Sequence, residues 1–270
     1  MLRRRLFFAA TAVLAVPPAL AAPSGGPAAG AGPLRVGVDR ELAESGLAAS
    51  LTRAFGGDTG IAVKLVSAPA LAVLDALQNG EVDAALSNAP DAEVELDRQG
   101  LVHDRRAIAS GEFILVGPVA RVRGRAPAAA RSGVALLTSL RERAQAGAAD
   151  FTFLSAADGS GSHVVEQALW RAARIEPVAP WYAAAAPGSS FVGQVRGRAA
   201  YALVERGAWA ALGGDPLSVV VEGDSAMAES VHAMRSFRVS HPAGKIFVAW
   251  IAGTRGRRVA ASHRGYRAAT

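Results

Sequence analysis

The sequence predicts an α/β protein whose two α/β lobes face each other across a ligand cleft. Short β-rich runs alternate with helical patterns from Leu34 onward, which is typical of a largely parallel sheet. The segment after Val204 has no apolar core of its own, so we expect it to return to the first lobe. We therefore predict a first lobe from 34–116 and 206–270 and a second lobe from 117–205.

Within the first part of the chain, short apolar runs indicate strands, and apolar residues every three or four positions indicate helices. Leu47, Leu51 and Phe55 predict a helix that Gly56-Gly57 would end, and Asn79-Gly80 would end the next one. The predicted strands are 34–38, 61–66, 82–86 and 113–117, and the predicted helices lie at 47–55, 71–79 and 90–98.

After Pro118 the pattern changes to a loop at 121–131 that is rich in Arg, Ala, Gly and Pro. The predicted helices that follow are 134–146, 162–173 and 245–252, and the predicted strands are 151–154, 200–204, 217–221 and 231–239. Two crossings between the lobes, near 114–118 and 203–206, would leave a cleft at the carboxyl ends of strands and the amino ends of helices. Ligands of α/β proteins bind at such places.

The N-terminus predicts export. Residues 1–22 read as a signal peptide, with Arg3-Arg4-Arg5 as its basic region and Ala19-Leu20-Ala21 as its cleavage site. Its apolar run is too short to span a membrane. We interpret it as a general Sec signal, while Arg4-Arg5-Leu6-Phe7 also fits the twin-arginine pattern loosely. Residues 23–33 read as a flexible linker, and we expect a soluble periplasmic protein.

Composition excludes several kinds of site. The chain has no cysteine, so a disulfide, a thiolate nucleophile and a cysteine-ligated metal are all impossible. The five histidines lack metal-site spacing, and we predict neither a metal nor a cofactor. The net charge of +6 is partly due to the signal peptide. We interpret the arginine clusters as solvated surface and expect no nucleic-acid partner.

The segment 153–163 is the strongest candidate for a ligand site. A β-rich run ends there in a polar turn, and Ser160 or Ser162 stands where a helix begins. Free N–H groups and the positive end of the helix dipole favour an anion at this point, while Gly159 and Gly161 allow close approach of the backbone. The alternative is an ordinary capped helix without a ligand.

The same segment does not predict an enzyme. Asp158, a serine and His163 lie close together in one turn, whereas a nucleophile and its base normally come from separate elements. The chain also has no G-x-S-x-G motif. We therefore expect no catalytic residues, and we expect His163 to pack or cap.

The order and spacing of many short motifs are similar to those of the tungstate-binding proteins of bacterial ABC importers, which belong to the type II periplasmic binding proteins. The resemblance covers the chain from about Leu34 to Arg258. The motifs that carry it include Ser45-Gly46-Leu47, Asn79-Gly80-Glu81-Val82-Asp83, Asp158-Gly-Ser-Gly-Ser-His163, Trp181-Tyr182 and Val221-Glu-Gly-Asp224. It implies a monomeric periplasmic protein that binds a small anionic ligand and delivers it to an ABC permease in the inner membrane.

This chain departs from the family at the positions that would hold the ligand. Where the family has hydroxyl side chains after the first strand, this chain has Asp39 and Glu41 around Arg40. Ala156 replaces an arginine of the family, and Asn88 replaces a histidine. A dianion beside Asp39 and Glu41 would meet like charges, so we expect weak binding of tungstate and molybdate.

The residues that we predict to contact a ligand are Arg40, Asn88, Ser160, Gly161 and Ser162. Arg40 would either supply positive charge from the opposite wall or pair with Glu44 one helical turn away. The ligand would be an oxyanion or another small polar solute such as an amino acid. A sensory or partner-docking role without transport is the alternative function.

Overall fold

The computed structural model describes residues 32–118, 130–147, 150–214 and 216–269. The predicted signal peptide and most of the predicted linker and of the 121–131 loop lie outside these residues. The strands are β1 (Leu34–Asp39), β2 (Val63–Ala68), β3 (Ala84–Ser87), β4 (Val102–Gly117), β5 (Phe153–Ser155), β6 (Tyr182–Ala184), β7 (Ala202–Glu205), β8 (Ser218–Val221), β9 (Ala228–Ser236) and β10 (Arg267–Ala268). The helices are α1 (Arg40–Glu44), α2 (Leu47–Thr59), α3 (Ala70–Asn79), α4 (Pro90–Arg98), α5 (Gly133–Gln145), α6 (Gly161–Ala173), α7 (Phe191–Gly197), α8 (Arg206–Leu212), α9 (Pro242–Ala252) and α10 (Thr254–Ala261).

The main sheet has the strand order β10-β4-β9-β3-β1-β2, with β1 parallel to both β2 and β3. The long strand β4 belongs to both halves of the molecule, because its residues up to Glu112 pair with β9 and its residues from Phe113 pair with β7 and β8. The halves therefore share one strand. The small parallel sheet β5-β6 completes the second half.

The buried cores divide the chain into what we call the first lobe (32–112 and 228–269) and the second lobe (113–227). Two apolar clusters lie in the first lobe and two in the second. The second lobe is longer than predicted, because Leu217 and Val221 pack in its clusters. Buried residues up to Met227 therefore pack in clusters of the second lobe, whereas the return to the first lobe was expected at 203–206.

Charged groups join the lobes at these crossings. The guanidinium of Arg206 pairs with Glu112 on β4, at 2.8 Å, and with Glu222. The other carboxylate oxygen of Glu112 accepts a hydrogen bond from the backbone N–H of Gly223. This cluster connects β4 to α8 and to the segment around Gly223.

The helix α2 continues past the two glycines, Gly56 and Gly57, that were predicted to end it. The chain remains helical through Gly56 and Gly57. The helix ends at Thr59, and Gly60 caps it with the left-handed φ of 71° that closes a helix. Glycine inside a helix costs stability without forbidding the helix. Within the described residues, no helix is long and apolar enough to cross a membrane.

Candidate ligand-binding site

The first wall of the site is the junction between β1 and α1. Asp39 ends β1 and caps α1, since its Oδ1 accepts hydrogen bonds from the N–H groups of Glu41 (2.8 Å) and Leu42 (3.4 Å). This capping holds Asp39 fully buried, and Glu41 is 7% exposed. Two carboxyl groups are thereby fixed at the carboxyl end of a central strand.

The second wall is the turn that leads into α6. Gly159 has a φ of 81°, and its N–H donates to Nδ1 of His163 at 3.0 Å. The N–H of Ser160 donates to Oδ1 of Asp158 at 2.9 Å. Ser160 occupies the N-cap position, although its hydroxyl lies 3.3 Å from that of Ser162 and makes no capping bond. His163, which we expected to pack or cap, thus accepts a hydrogen bond within the turn that precedes α6.

The start of α6 already holds a carboxylate, and it belongs to the protein. Oε2 of Glu41, from the first lobe, accepts a hydrogen bond of 3.0 Å from the N–H of Ser162, in the second lobe. A helix amino terminus stabilises negative charge there. Glu41 therefore occupies the place where the sequence analysis expected an anionic ligand.

Asn88 and Glu229 form the floor beside this contact. Nδ2 of Asn88 donates to Oε1 of Glu229 at 2.8 Å, and both side chains are buried. Oδ1 of Asn88 lies against Gly161, where a Cβ atom would overlap it. Only glycine therefore allows α6 to begin this close to Asn88.

Four buried carboxyl groups share the site: Asp39, Glu41, Glu205 and Glu229. Burial raises the pKa of Asp39 to about 7, with a further rise from the charge of Asp158, and raises the pKa of Glu205 to about 7, with a further rise from the charge of Asp39. It raises the pKa of Glu41 and that of Glu229 well above the usual range. Asp39 is stabilised in its charged form mainly by backbone N–H groups and Glu205 by backbone N–H groups and Tyr266, so the repulsion is not relieved by a cationic side chain.

Three acceptor atoms in the site make no hydrogen bond: Oδ2 of Asp39, Oδ1 of Asn88 and Oε2 of Glu229. Each belongs to a side chain that is at most 3% exposed. An unpaired buried acceptor is costly, and most such atoms in folded proteins are satisfied. The site is therefore short of hydrogen-bond donors.

Arg40 lies at the mouth of the cleft. Its guanidinium pairs with the carboxylate of Asp158 in the second lobe at 3.2 Å. The hydrogen-bonded partner of Arg40 is therefore Asp158, and not Glu44. A cavity of about 300 Å³ adjoins this pair and is lined by Arg40, Asp158, Ser189 and Gln194 among others. The four buried acids do not line it.

The lobes touch directly around the site. Besides the Glu41–Ser162 and Arg40–Asp158 contacts, the N–H of Leu71 donates to the carbonyl of Gly159 at 3.0 Å. The structure therefore has the two walls in contact.

The structure brings the five predicted ligand residues together. Ser162 contacts Glu41, Ser160 lies beside Ser162, Asn88 lies against Gly161, and Arg40 contacts Asp158 in the same turn. Sequence reasoning missed Glu205 and Glu229. Each is an acidic residue that ends or interrupts an apolar strand, β7 or β9, and this pattern is the signal that could have revealed them. Among the described residues no group of acids and histidines could hold a metal ion.

Comparison with known proteins gives one family and several relatives. The model of the PBP superfamily domain matches residues 24–243. The tungstate-binding protein TupA of Peptoclostridium acidaminophilum is 28% identical over 218 residues, which are 77% of this chain and 73% of that protein. A Haloferax volcanii protein named as an ABC transporter anion-binding protein is 30% identical over 169 residues, which are 62% of this chain and 47% of that protein.

A solved structure supports the same fold. The tungstate ABC transporter structure from Geobacter sulfurreducens superposes with a TM-score of 0.69 at 24% identity. The match covers 84% of this chain and 96% of that one.

Proposed function

Because the chain belongs to the PBP superfamily, we propose that it is an extracytoplasmic solute-binding protein that delivers a small polar solute to an ABC importer. The observation that carries this proposal is the convergence of buried polar side chains from both lobes on one point of the cleft. Glu41 and Asn88 reach it from the first lobe, and Ser160 and Ser162 from the second. A solute held there would contact both lobes at once.

The mechanism follows from the two crossings. β4 and the segment from Gly223 to Ala228 connect the lobes, so rotation about them opens the cleft and admits the solute. A solute that contacts both walls stabilises the closed arrangement, and a permease can distinguish that arrangement from the open one. The partner is therefore a membrane permease, and the protein works as a monomer outside the cytoplasmic membrane.

The relatives indicate which ligand to test first. Their names include tungstate and an anion, so an oxyanion on Ser160, Gly161 and Ser162 is the reference case. Position 156 is alanine, and Arg40 pairs with Asp158, so neither position supplies a free positive charge to these residues.

A sensory or partner-docking role is the second candidate. It is favoured by the direct contact between the walls, in which Glu41 bonds to Ser162 without an intervening solute. A cleft that closes on itself could present a constant surface to a partner.

Thermal unfolding of the exported protein against a panel of oxyanions, amino acids and organic cations tests the proposal. A solute at one hundred times its Kd stabilises the folded protein by about 2.7 kcal/mol, which raises Tm by several degrees. We expect at least one solute to do so and to reduce the radius of gyration in small-angle scattering. A flat response across the whole panel would favour the docking role and contradict solute binding.

A further inference from the structure

The charge balance of the cleft points to a ligand opposite in sign to tungstate. The amino terminus of α6, which is the main anion-stabilising feature of the site, is already occupied by the carboxyl group of Glu41, which accepts the N–H of Ser162. An incoming dianion would have to displace this carboxylate and then lie next to Asp39 and Glu229. Each of these steps opposes anion binding.

The unpaired atoms specify what the ligand must offer. Oδ1 of Asn88 is an acceptor, and Oδ2 of Asp39 and Oε2 of Glu229 are acceptors when their carboxyl groups are charged. These side chains come from the end of β3, from β1 and from β9. Oδ1 of Asn88 faces the start of α6, and Oε2 of Glu229 lies over Gly111 on β4. A ligand that satisfied these atoms would donate several hydrogen bonds and would gain from positive charge.

We propose that the cleft binds a small organic cation with a primary ammonium or guanidinium group, held by Asp39, Asn88 and Glu229. The inference rests on the proposed solute-binding function and names its ligand class. The ligand would enter as the lobes separate, and its donors would replace the missing partners of the three acceptors. A metal ion does not fit, because the described residues contain no group with ligand geometry for one.

Binding of such a cation is coupled to proton release. The carboxyl groups of Asp39 and Glu229 have raised pKa values, so both are largely protonated in the free protein at slightly acid pH. A cation favours their charged forms, so they lose protons as it binds. The other groups that face the cluster are Glu41, Glu205, Asp158 and Tyr266, while Arg40 is engaged by Asp158. An anion would cause proton uptake instead.

Isothermal titration calorimetry of the exported protein tests the inference. The cationic probes are agmatine, putrescine, arginine and lysine, and the anionic probes are tungstate and sulfate. Each titration is run at pH 6.0 and 7.0 in two buffers of different ionisation enthalpy, which gives the number of protons exchanged. We expect one cationic probe to bind with release of about one proton and an affinity that rises about tenfold between the two pH values.

Two variants and one control localise the effect. Glu229→Gln and Asp39→Asn keep the size of the side chain and remove its charge, so each should weaken the bound cationic probe about tenfold or more. Glu166→Gln is the matched control, since Glu166 is a buried acid of the second lobe with a pKa of about 7 that bonds to Trp170 and Tyr182 away from the cleft. Its substitution should leave the affinity unchanged. Unfolding curves show whether each variant is folded.

The outcomes separate this inference from the proposed function. If tungstate or sulfate binds more tightly than every cationic probe, the protein is a solute-binding protein and the inference of a cation is wrong. The same conclusion follows if a cation binds without proton release or is unaffected by Glu229→Gln. If none of the probes or of the wider panel binds, both the inference and the proposed function fail.

Discussion

Glu41 is the residue on which the chemistry of the cleft depends. Its carboxylate bridges the lobes by accepting the N–H of Ser162, yet burial and the neighbouring Asp39 raise its pKa well above the usual range. The same group thus makes an interlobe hydrogen bond and contributes to a repulsive cluster. Which effect dominates depends on pH.

Replacing this residue separates the two effects. In Glu41→Gln the amide oxygen can still accept the bond from Ser162, while the charge is removed. We expect the variant to have a higher Tm than the wild type at pH 8 and a nearly equal Tm at pH 5, where the wild-type carboxyl is protonated. Glu95→Gln, on the exposed face of α4, is the control and should leave the difference between the two pH values unchanged. A lower Tm for Glu41→Gln at pH 8 would show that its charge stabilises the closed cleft.

At the scale of elements, the approach of α6 to the end of β3 shapes the site. Gly161 is the first residue of α6, and a methyl group there would overlap Oδ1 of Asn88. Gly161→Ala should therefore lower the free energy of unfolding by about 1–3 kcal/mol, as crowding of a packed site does.

The control for this substitution comes from another helix. Gly57 lies inside α2, and a Cβ atom there would meet nothing within 4 Å. Gly57→Ala should raise the free energy of unfolding by about 0.5–1 kcal/mol, because alanine favours the helix. Urea unfolding measures both effects. If both substitutions raised the free energy of unfolding equally, the side chain of Asn88 would have moved aside, and its contact with Gly161 would not define the start of α6.

The elements also show what the sequence could and could not predict. The bounds of α4 match the prediction of 90–98, and α6 begins one residue before the predicted 162, because proline, serine and glycine signals mark these ends. The first part of β4 was missed because it carries Asp104 and Arg105, whose ion pairs with Arg235 and Glu93 are visible only in three dimensions.

The site was predictable only in part, for a similar reason. The spacing around Ser160 located the turn, and Asp39 with Glu41 indicated a shortage of positive charge. The pairing of Glu41 with Ser162 spans 121 positions in the chain, and that of Asn88 with Glu229 spans 141. Contacts between residues so far apart in the chain depend on the fold. The sequence therefore indicated which side chains belong to the site, but not which of them pair with each other.

For the whole molecule, the acid cluster predicts how stability depends on pH. Each carboxyl has a higher pKa in the folded protein than in the unfolded chain, so the unfolded chain releases its protons first. The contribution is fully present below the unfolded pKa of about 4 and is lost as pH rises through the folded pKa of about 7 for Asp39 and Glu205. We expect Tm to fall steadily between pH 5 and pH 8.

A single substitution tests the origin of this pH dependence. Asparagine caps helices as well as aspartate does, so Asp39→Asn should keep α1 and remove one titrating group. The fall in stability between pH 5 and pH 8 should shrink by on the order of 1–4 kcal/mol, at about 1.4 kcal/mol per pKa unit. Glu166→Gln should also reduce the fall in stability between pH 5 and pH 8, because Glu166 has a raised pKa of its own outside the cluster. An unchanged slope in Asp39→Asn would contradict the assignment of the dependence to the cluster.

The central claim is that a carboxyl group of the protein already occupies the start of α6, so the cleft does not favour a tetrahedral dianion. Calorimetric titration of the exported protein with tungstate at pH 7.5 tests it most directly. Compared with a site that has an arginine at position 156, this chain lacks one charge-assisted hydrogen bond, worth about 1.5–3 kcal/mol, and it also lacks hydroxyl donors after β1. Together these losses lower the affinity for the dianion by at least about two decades. We predict no binding, or binding weaker than micromolar. Submicromolar tungstate binding would show that Glu41 leaves the start of α6 readily and would contradict the account.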